Sequence, residues 1–341
     1  MSNLPEGIVR FLANSGWEGA AIEPLTGDAS FRRYFRLRRD DSAEPITAML
    51  MYAPPPHEDP EPFLNVARWL EANGMRGPSI FAAAPDEGWV LLEDFGDDRM
   101  RDWLDENPEA EWDAYQGAID ALVALHQLPA GPFPPYDMET YCRETRLLIE
   151  WYAPAMGLSV DEAGYEEAWR QVLAPVLSRQ APGVTVLRDY HAENIMLLGD
   201  PRDAAPQGLI DFQDALVGHP AYDLVSLLQD ARRDVDQDLA ARLLDYYRES
   251  VRQFDSEAGQ SGADSLIADY AVLGAQRNAK IVGIFTRLHK RDGKPRYLDM
   301  IPRVWRLMED DLVHPALEPV ARWFDANIPA ELRQAGGGQI A

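Results

Sequence analysis

The sequence predicts an α+β chain in two lobes: a small antiparallel sheet carrying one helix, followed by a larger and mainly helical part. Two observations predict it. Short β-rich runs with turn residues between them fill the first hundred positions, and beyond residue 98 the apolar pattern turns to helical spacing. Between the two textures lies the acidic connector Glu93-Asp94-Phe95-Gly96-Asp97. The expected division is therefore residues 1–97 and 98–341.

The elements follow in order. Ile8, Phe11 and Leu12 sit at helical spacing and Gly16 stops the run, which predicts a short opening helix. Ile22 to Thr26, Phe31 to Leu37 and Ile46 to Tyr52 read as strands, separated by Gly27-Asp28-Ala29-Ser30 and by Arg39-Asp40-Asp41-Ser42. After the Pro54-Pro55-Pro56 loop, Phe63, Leu64, Val66, Ala67, Trp69 and Leu70 predict the one helix that interrupts the sheet. Ser79 to Ala83 and Trp89 to Leu92 supply two more strands around the turn Pro85-Asp86-Glu87-Gly88. Beyond residue 98, helices are expected near 99–106, 109–127, 139–153, 161–180, 222–231, 237–252, 264–289, 299–313 and 317–326. Strands are expected only at Val184 to Leu187, Ile195 to Leu198 and Gly208 to Ile210, and Gly336-Gly337-Gly338 reads as a frayed tail.

Composition narrows the function classes. The 341 residues are 46% hydrophobic, enough for a full core. The absence of a long apolar run and of a basic-then-apolar start points to a cytoplasmic protein with neither membrane span nor secretory signal, and the single Cys142 cannot form an internal disulfide. A net charge of −25 repels nucleic acid and anionic membranes. The basic residues are unevenly placed. All three lysines, Lys280, Lys290 and Lys294, lie late in the chain, in a basic stretch from Arg277 to Arg296 that is either a solvated helix end or a place for an anionic ligand.

One stretch carries chemistry. Arg188-Asp189-Tyr190-His191-Ala192-Glu193-Asn194 is followed by a second apolar run ending in Asp211-Phe212-Gln213-Asp214. Phosphoryl transfer needs a carboxylate to orient and accept the proton of an attacking hydroxyl, with an amide and a second carboxylate to hold Mg²⁺. A lone Asp after a strand is usually a turn residue, so the pattern and not the single residue is what points to phosphotransfer. His191 has no second His or Cys at ligand spacing, which argues against zinc.

The lobe order, the connector, Asp189 with Asn194, Asp211, and the segment Gly218-His219-Pro220-Ala221-Tyr222-Asp223-Leu224 together resemble the aminoglycoside phosphotransferase and choline kinase superfamily, a branch of the protein-kinase-like fold. Within it, Gly27 to Arg36, Asp211 to Ala215 and Tyr222 to Arg232 are most similar to bacterial sugar kinases acting on the anomeric hydroxyl of N-acetylmuramate and N-acetylglucosamine in cell-wall sugar recycling. The resemblance implies ATP and Mg²⁺ as cofactors and a small-molecule sugar as acceptor. It implies Asp189 as the catalytic base, Asn194 and Asp211 as metal ligands, and Asp223 as a buttress of the catalytic loop that could also cap the helix from Leu224. Ser30 would cradle phosphate, and Glu93, Asp94 and Phe95 would form the hinge facing the nucleotide base, a backbone reading that leaves GTP open beside ATP.

The departure is on the third strand. Where the superfamily places a phosphate-gripping lysine, this chain has Ala48-Met49-Leu50-Met51, so Arg32 or Arg33 is expected to supply the missing cation, with Arg32 the first choice. Asp214 is a candidate substrate contact, against a loop-capping role. Arg277 and Lys280 share a helix face and could meet the lactyl carboxylate of a muramate, against the alternative of plain surface charge. Two other readings stay open: another aminoglycoside-, choline- or fructosamine-type kinase, and a nucleotide-binding pseudokinase, for which the absent lysine is the argument.

Overall fold

A computed structural model describes residues 4–25, 31–40, 45–203, 205–252 and 262–340. The chain divides into two compact units, one of residues 1–106 with 194–214 and one of 107–193 with 215–341.

The first unit is built on a five-stranded antiparallel sheet in the order β1-β2-β3-β5-β4. The strands are β1 (Ala21–Pro24), β2 (Arg33–Arg39), β3 (Ile46–Tyr52), β4 (Ile80–Ala84) and β5 (Trp89–Leu92). Alternation sets the faces. In β2, Phe35 and Leu37 are fully buried while Arg36 between them is not, and they pack with Ala48, Leu50, Trp89 and Leu91 against α1 (Ile8–Asn14). Helix α2 (Glu61–Ala72) buries Phe63, Leu64, Val66, Ala67 and Leu70 of the stripe expected from its spacing, while Trp69 is only half-buried. The unit closes with α3 (Met100–Glu106) and the hairpin of β7 (Ile195–Leu197) and β8 (Gln207–Leu209). The turn expected at 27–30 lies outside the described residues, as do positions 41–42 of the turn expected at 39–42, whose Arg39 belongs to β2.

The second unit is helical, with β6 (Val184–Val186) paired to β9 (Leu216–Gly218), a strand too short to carry a period and absent from the sequence reading. Its helices are α4 (Glu111–Gln127), α5 (Met138–Leu147), the short α6 (Ala153–Ala155), α7 (Glu162–Gln180), α8 (Ala221–Leu228), α9 (Gln237–Arg252), α10 (Gly262–Lys290), α11 (Ile301–Leu312), α12 (Glu318–Asn327) and α13 (Ala330–Gln334). Helix α10 runs through the core and packs on α5, α8 and α11.

Three expectations need correction. The helix expected over 139–153 is interrupted by a π-helical turn at Leu148–Tyr152. Helix α8 ends at Leu228 rather than near 231, so Asp230 lies beyond it. The glycine tail is not frayed: Gly337 is buried, its carbonyl accepts the Tyr152 hydroxyl at 2.8 Å, and its amide bonds Leu332. Tertiary hydrogen bonds order a sequence whose composition predicts fraying.

Candidate active site

In the helical unit, the loop after β6 is held from beneath. Asp223 is fully buried in the first turn of α8, and its two carboxylate oxygens accept the backbone N–H groups of Leu187 at 2.7 Å and Arg188 at 2.8 Å. This is the buttress implied by the resemblance, and not a helix cap, because α8 begins at Ala221 and the carboxylate turns away from its own helix. Arg188 has φ of 71°, a conformation uncommon for a side chain with a Cβ. The two amide bonds and a buried ion pair between Arg188 and Glu144 hold it there.

Asp189 follows, its side chain 40% exposed and its amide bonded to Leu187 O at 2.9 Å. Beneath it lies Arg277 of α10, 4% exposed at the side chain, with Nη2 3.5 Å from Asp189 Oδ1. Desolvation acts to raise the Asp189 carboxyl, but Arg277 and Lys280 outweigh it and hold the group well below the usual carboxylate range. Asp189 is thus an ionised, partly exposed acceptor of hydrogen bonds.

Neither Arg277 nor Lys280 is a surface charge: they are 3% and 7% exposed. Their surroundings differ. Lys280 Nζ lies 3.2 Å from Glu144 Oε1 and 3.3 Å from the Tyr222 hydroxyl, and the same Glu144 also receives Arg188, Tyr136 and Gln276. Arg277 stacks over the Tyr222 ring at 5.6 Å, and its Nε and Nη1 have no hydrogen-bond partner. His191 is 3% exposed, with Nε2 3.2 Å from Arg232 Nη1. A guanidinium can only donate, so Nε2 accepts; burial and Arg232 press the imidazole well below its ordinary pKa, leaving it neutral.

In the sheet unit, Asn194 ends a short turn and Asp211 follows β8. Asn194 Nδ2 lies 3.3 Å from Asp211 Oδ2, and Ile210 N donates to Asn194 O at 3.1 Å, so backbone and side chain hold the pair together. Asp211 has φ of 60° and is exposed; Gln213 Nε2 donates to its Oδ1 at 2.9 Å, and Phe212 stacks on Phe63 at 5.1 Å. Among the described residues no group of three or more His, Cys, Asp or Glu gathers as a complete metal cage. One amide oxygen and one exposed carboxylate fit a hard cation that takes its remaining ligands from phosphate and water, which is how Mg²⁺ is commonly held. Asp214 is exposed in the same loop.

The remaining nucleotide-side candidates separate clearly. Ser30 lies outside the described residues. Arg32 precedes β2, with Nε 3.3 Å from Glu58 Oε2, and interacts with the half-buried Tyr34, which also feels the charge of Asp211. Arg33 instead stacks over the Phe35 ring at 5.2 Å. In the third-strand run Ala48-Met49-Leu50-Met51, the Met51 sulfur accepts the Tyr34 hydroxyl at 3.5 Å. Glu93 binds Arg76 through both oxygens at 2.7 and 2.5 Å, and that bond is the main reason its carboxyl is depressed. Asp94 and Asp97 both bind Arg36 at 2.8 Å. Phe95 carries the Arg76 guanidinium 4.7 Å from its centroid and lies against Gly208, where a Cβ would collide with the ring. The sequence reading gave no role to Glu144 or Glu58; the one available signal for Glu144 was an acid among Tyr141, Cys142, Thr145 and Leu148 on the buried side of α5.

Comparison with known proteins shows the family and the fold. The family model described as "Phosphotransferase enzyme family" matches residues 21–259. The chain is 35% identical to the N-acetylmuramate/N-acetylglucosamine kinase of Caulobacter vibrioides, covering 95% of this chain and 96% of that one. It is 36% identical to the protein of the same name from Pseudomonas aeruginosa, over 90% and 88% of the two chains. Among solved structures, choline kinase LicA from Streptococcus pneumoniae superposes with a TM-score of 0.63 at 12% identity, covering 91% of this chain and 99% of that one. ADP-bound aminoglycoside phosphotransferase APH(2'')-Ib gives 0.57 at 15%, over 89% and 97%. The two solved structures share the fold. A loop aspartate buttressed by Asp223, an Asn–Asp pair after it, and a family match over most of the chain make this protein a member of the phosphotransferase enzyme family, with the protein-kinase-like fold.

Proposed function

We propose that this protein is an ATP- and Mg²⁺-dependent kinase that transfers the γ-phosphoryl group to the anomeric hydroxyl of N-acetylmuramate and N-acetylglucosamine, returning recovered cell-wall sugars to nucleotide-sugar synthesis in the cytoplasm. The observation that carries the chemistry is Asp189, partly exposed and kept ionised by buried cations. The choice of sugar rests on the names of the relatives at 31–36% identity.

Asp189 accepts a hydrogen bond from the anomeric hydroxyl and takes its proton as the oxygen–phosphorus bond forms and ADP leaves. A depressed carboxyl is a weak base, which suits a loose transition state in which the proton moves late. Asn194 and Asp211 would hold Mg²⁺, which when bound neutralises charge on the phosphates. Arg32 supplies the cation that the third strand lacks, since its neighbour Tyr34 feels Asp211 whereas Arg33 is turned to Phe35. The hinge backbone of Glu93, Asp94 and Phe95 reads the adenine edge, and Ser30 approaches phosphate. Arg277 and Lys280 set the potential on the substrate side, with Asp214 a further substrate contact. In this reading residues 1–97 form the nucleotide lobe and 98–341 the catalytic and substrate lobe.

The test is ADP release with N-acetylmuramate, N-acetylglucosamine, glucosamine, kanamycin and choline. Turnover confined to the two N-acetyl sugars, and lost in Asp189→Asn, is the expected result. Turnover with kanamycin or choline alone would transfer the protein to another branch of the family, and no turnover with any acceptor would favour a nucleotide-binding module.

A further inference from the structure

Two buried groups next to the loop leave hydrogen-bonding capacity unmet in a complementary way. Asp230, 2% exposed just after α8, accepts the Arg232 amide at 2.7 Å through Oδ1, while its Oδ2 has no partner. Arg277, 3% exposed, has two nitrogens without partners, and its charge acts on the Asp230 carboxyl. The segments that carry them meet where Asn278 Nδ2 donates to Gln229 Oε1 at 2.8 Å, yet no hydrogen bond joins the two side chains. Arg232 does not fill the gap, being turned to His191 at 3.2 Å and Glu193 at 2.8 Å. Folded proteins rarely leave buried acceptors and charged donors unmatched, and where they do a ligand is one explanation. The third nitrogen of Arg277 lies 3.5 Å from Asp189 Oδ1, and Asp230 is tied to the same loop through Arg232, whose amide it accepts and whose Nη1 is 3.2 Å from His191 Nε2.

A ligand that answers both must offer an acceptor to the guanidinium and a donor to the carboxylate from one small group. A secondary amide does so. In an N-acetylated amino sugar that amide is on C2, the carbon next to the anomeric C1. We propose that Arg277 and Asp230 read the 2-acetamido group of the acceptor sugar, Arg277 donating to its carbonyl oxygen and Asp230 accepting from its N–H. The inference rests on the anomeric sugar kinase reading and goes beyond it by naming what is recognised. One site then serves both sugars, because the acetamido group is common to them and the lactyl ether of the muramate stands on C3. Lys280, matched by Glu144, is not in competition for that amide.

The experiment is steady-state kinetics of full-length wild type, Asp230→Ala and Asp230→Asn with N-acetylglucosamine and with N-acetylmuramate at saturating ATP, together with the Michaelis constant for ATP and competition by glucose. Glucose keeps the ring and the anomeric hydroxyl but has no amide on C2. Asp230→Ala is expected to raise KM for both sugars by the same factor, about tenfold or more, with KM for ATP unchanged. Asp230→Asn, which keeps an acceptor oxygen, should recover part of the loss and covers the case in which the Ala variant fails to fold. Glucose should compete with the same inhibition constant in wild type and variant, or in neither. A rise for the muramate alone, a fall in kcat with both sugar KM values unchanged, an equal loss of glucose binding, or no change at all would each overturn the proposal. If wild type phosphorylates neither sugar, it is the kinase reading that fails.

Discussion

Asp189 has its protonation state decided by what lies under it more than by its own chain neighbours. Arg277, 88 positions later in sequence, holds the carboxyl below its ordinary range. Removing that cation in Arg277→Ala should raise the Asp189 pKa, so the acid limb of the kcat profile, below the usual carboxylate range in wild type, should move to higher pH; a pH–rate profile of both proteins checks it. Asp189→Asn should cost at least about a hundredfold in kcat, the range of a lost general base, while ATP affinity measured by titration stays near that of wild type. Asp223 titrates in the opposite sense. Burial pushes its carboxyl up to about 7 against two amide bonds. A raised carboxyl binds its proton more tightly folded than unfolded. Its stabilising contribution is therefore full below the unfolded value near 4 and is lost as pH rises through about 7. Between pH 5 and 8 wild type should lose about 2 kcal/mol relative to Asp223→Asn, read by denaturant unfolding at each pH.

Helix α10 is the element on which the helical unit depends, because one face carries Arg277 and Lys280 while the rest packs into the core. Its closest approach is at Gly283, where an added Cβ would collide with the backbone carbonyl of Leu147 at the end of α5. Gly283→Ala should gain about 1 kcal/mol in helix propensity and lose about 3 kcal/mol to overpacking, a net destabilisation visible as a lower Tm. A thermal melt at or above that of wild type would show that the two helices can move apart without penalty. The spacing of apolar residues predicted where α10 lies; it could not predict that Glu144 of α5 would neutralise Lys280 and leave Arg277 with unmet donors, since that depends on the register of one helix on another.

For the whole molecule, net charge sets the long-range field. At −25 the protein should not retard duplex DNA in a gel at physiological salt, and a shift that weakens with added salt would contradict this. The buried cations of α10 do not alter that expectation, since a charge enclosed by protein and balanced nearby presents no basic face. Among the described residues no helix is long and apolar enough to cross a membrane.

What the sequence determined by itself was most of the order of elements and the family, and it singled out Asp189, Asn194 and Asp211 as candidates, because period-two and helical patterns and a short motif are local properties of the chain. The strand at Leu216–Gly218 and the docked glycine tail were not legible, one being too short for a period and the other held by Tyr152, 185 positions away. Only the tertiary structure decided that Arg32 interacts with Tyr34 while Arg33 stacks over Phe35, that Arg277 and Lys280 are buried rather than solvated, and that Asp230 is buried as well. Burial and charge pairing are relations between distant segments, and they govern which arginine, lysine or aspartate is left to meet a ligand.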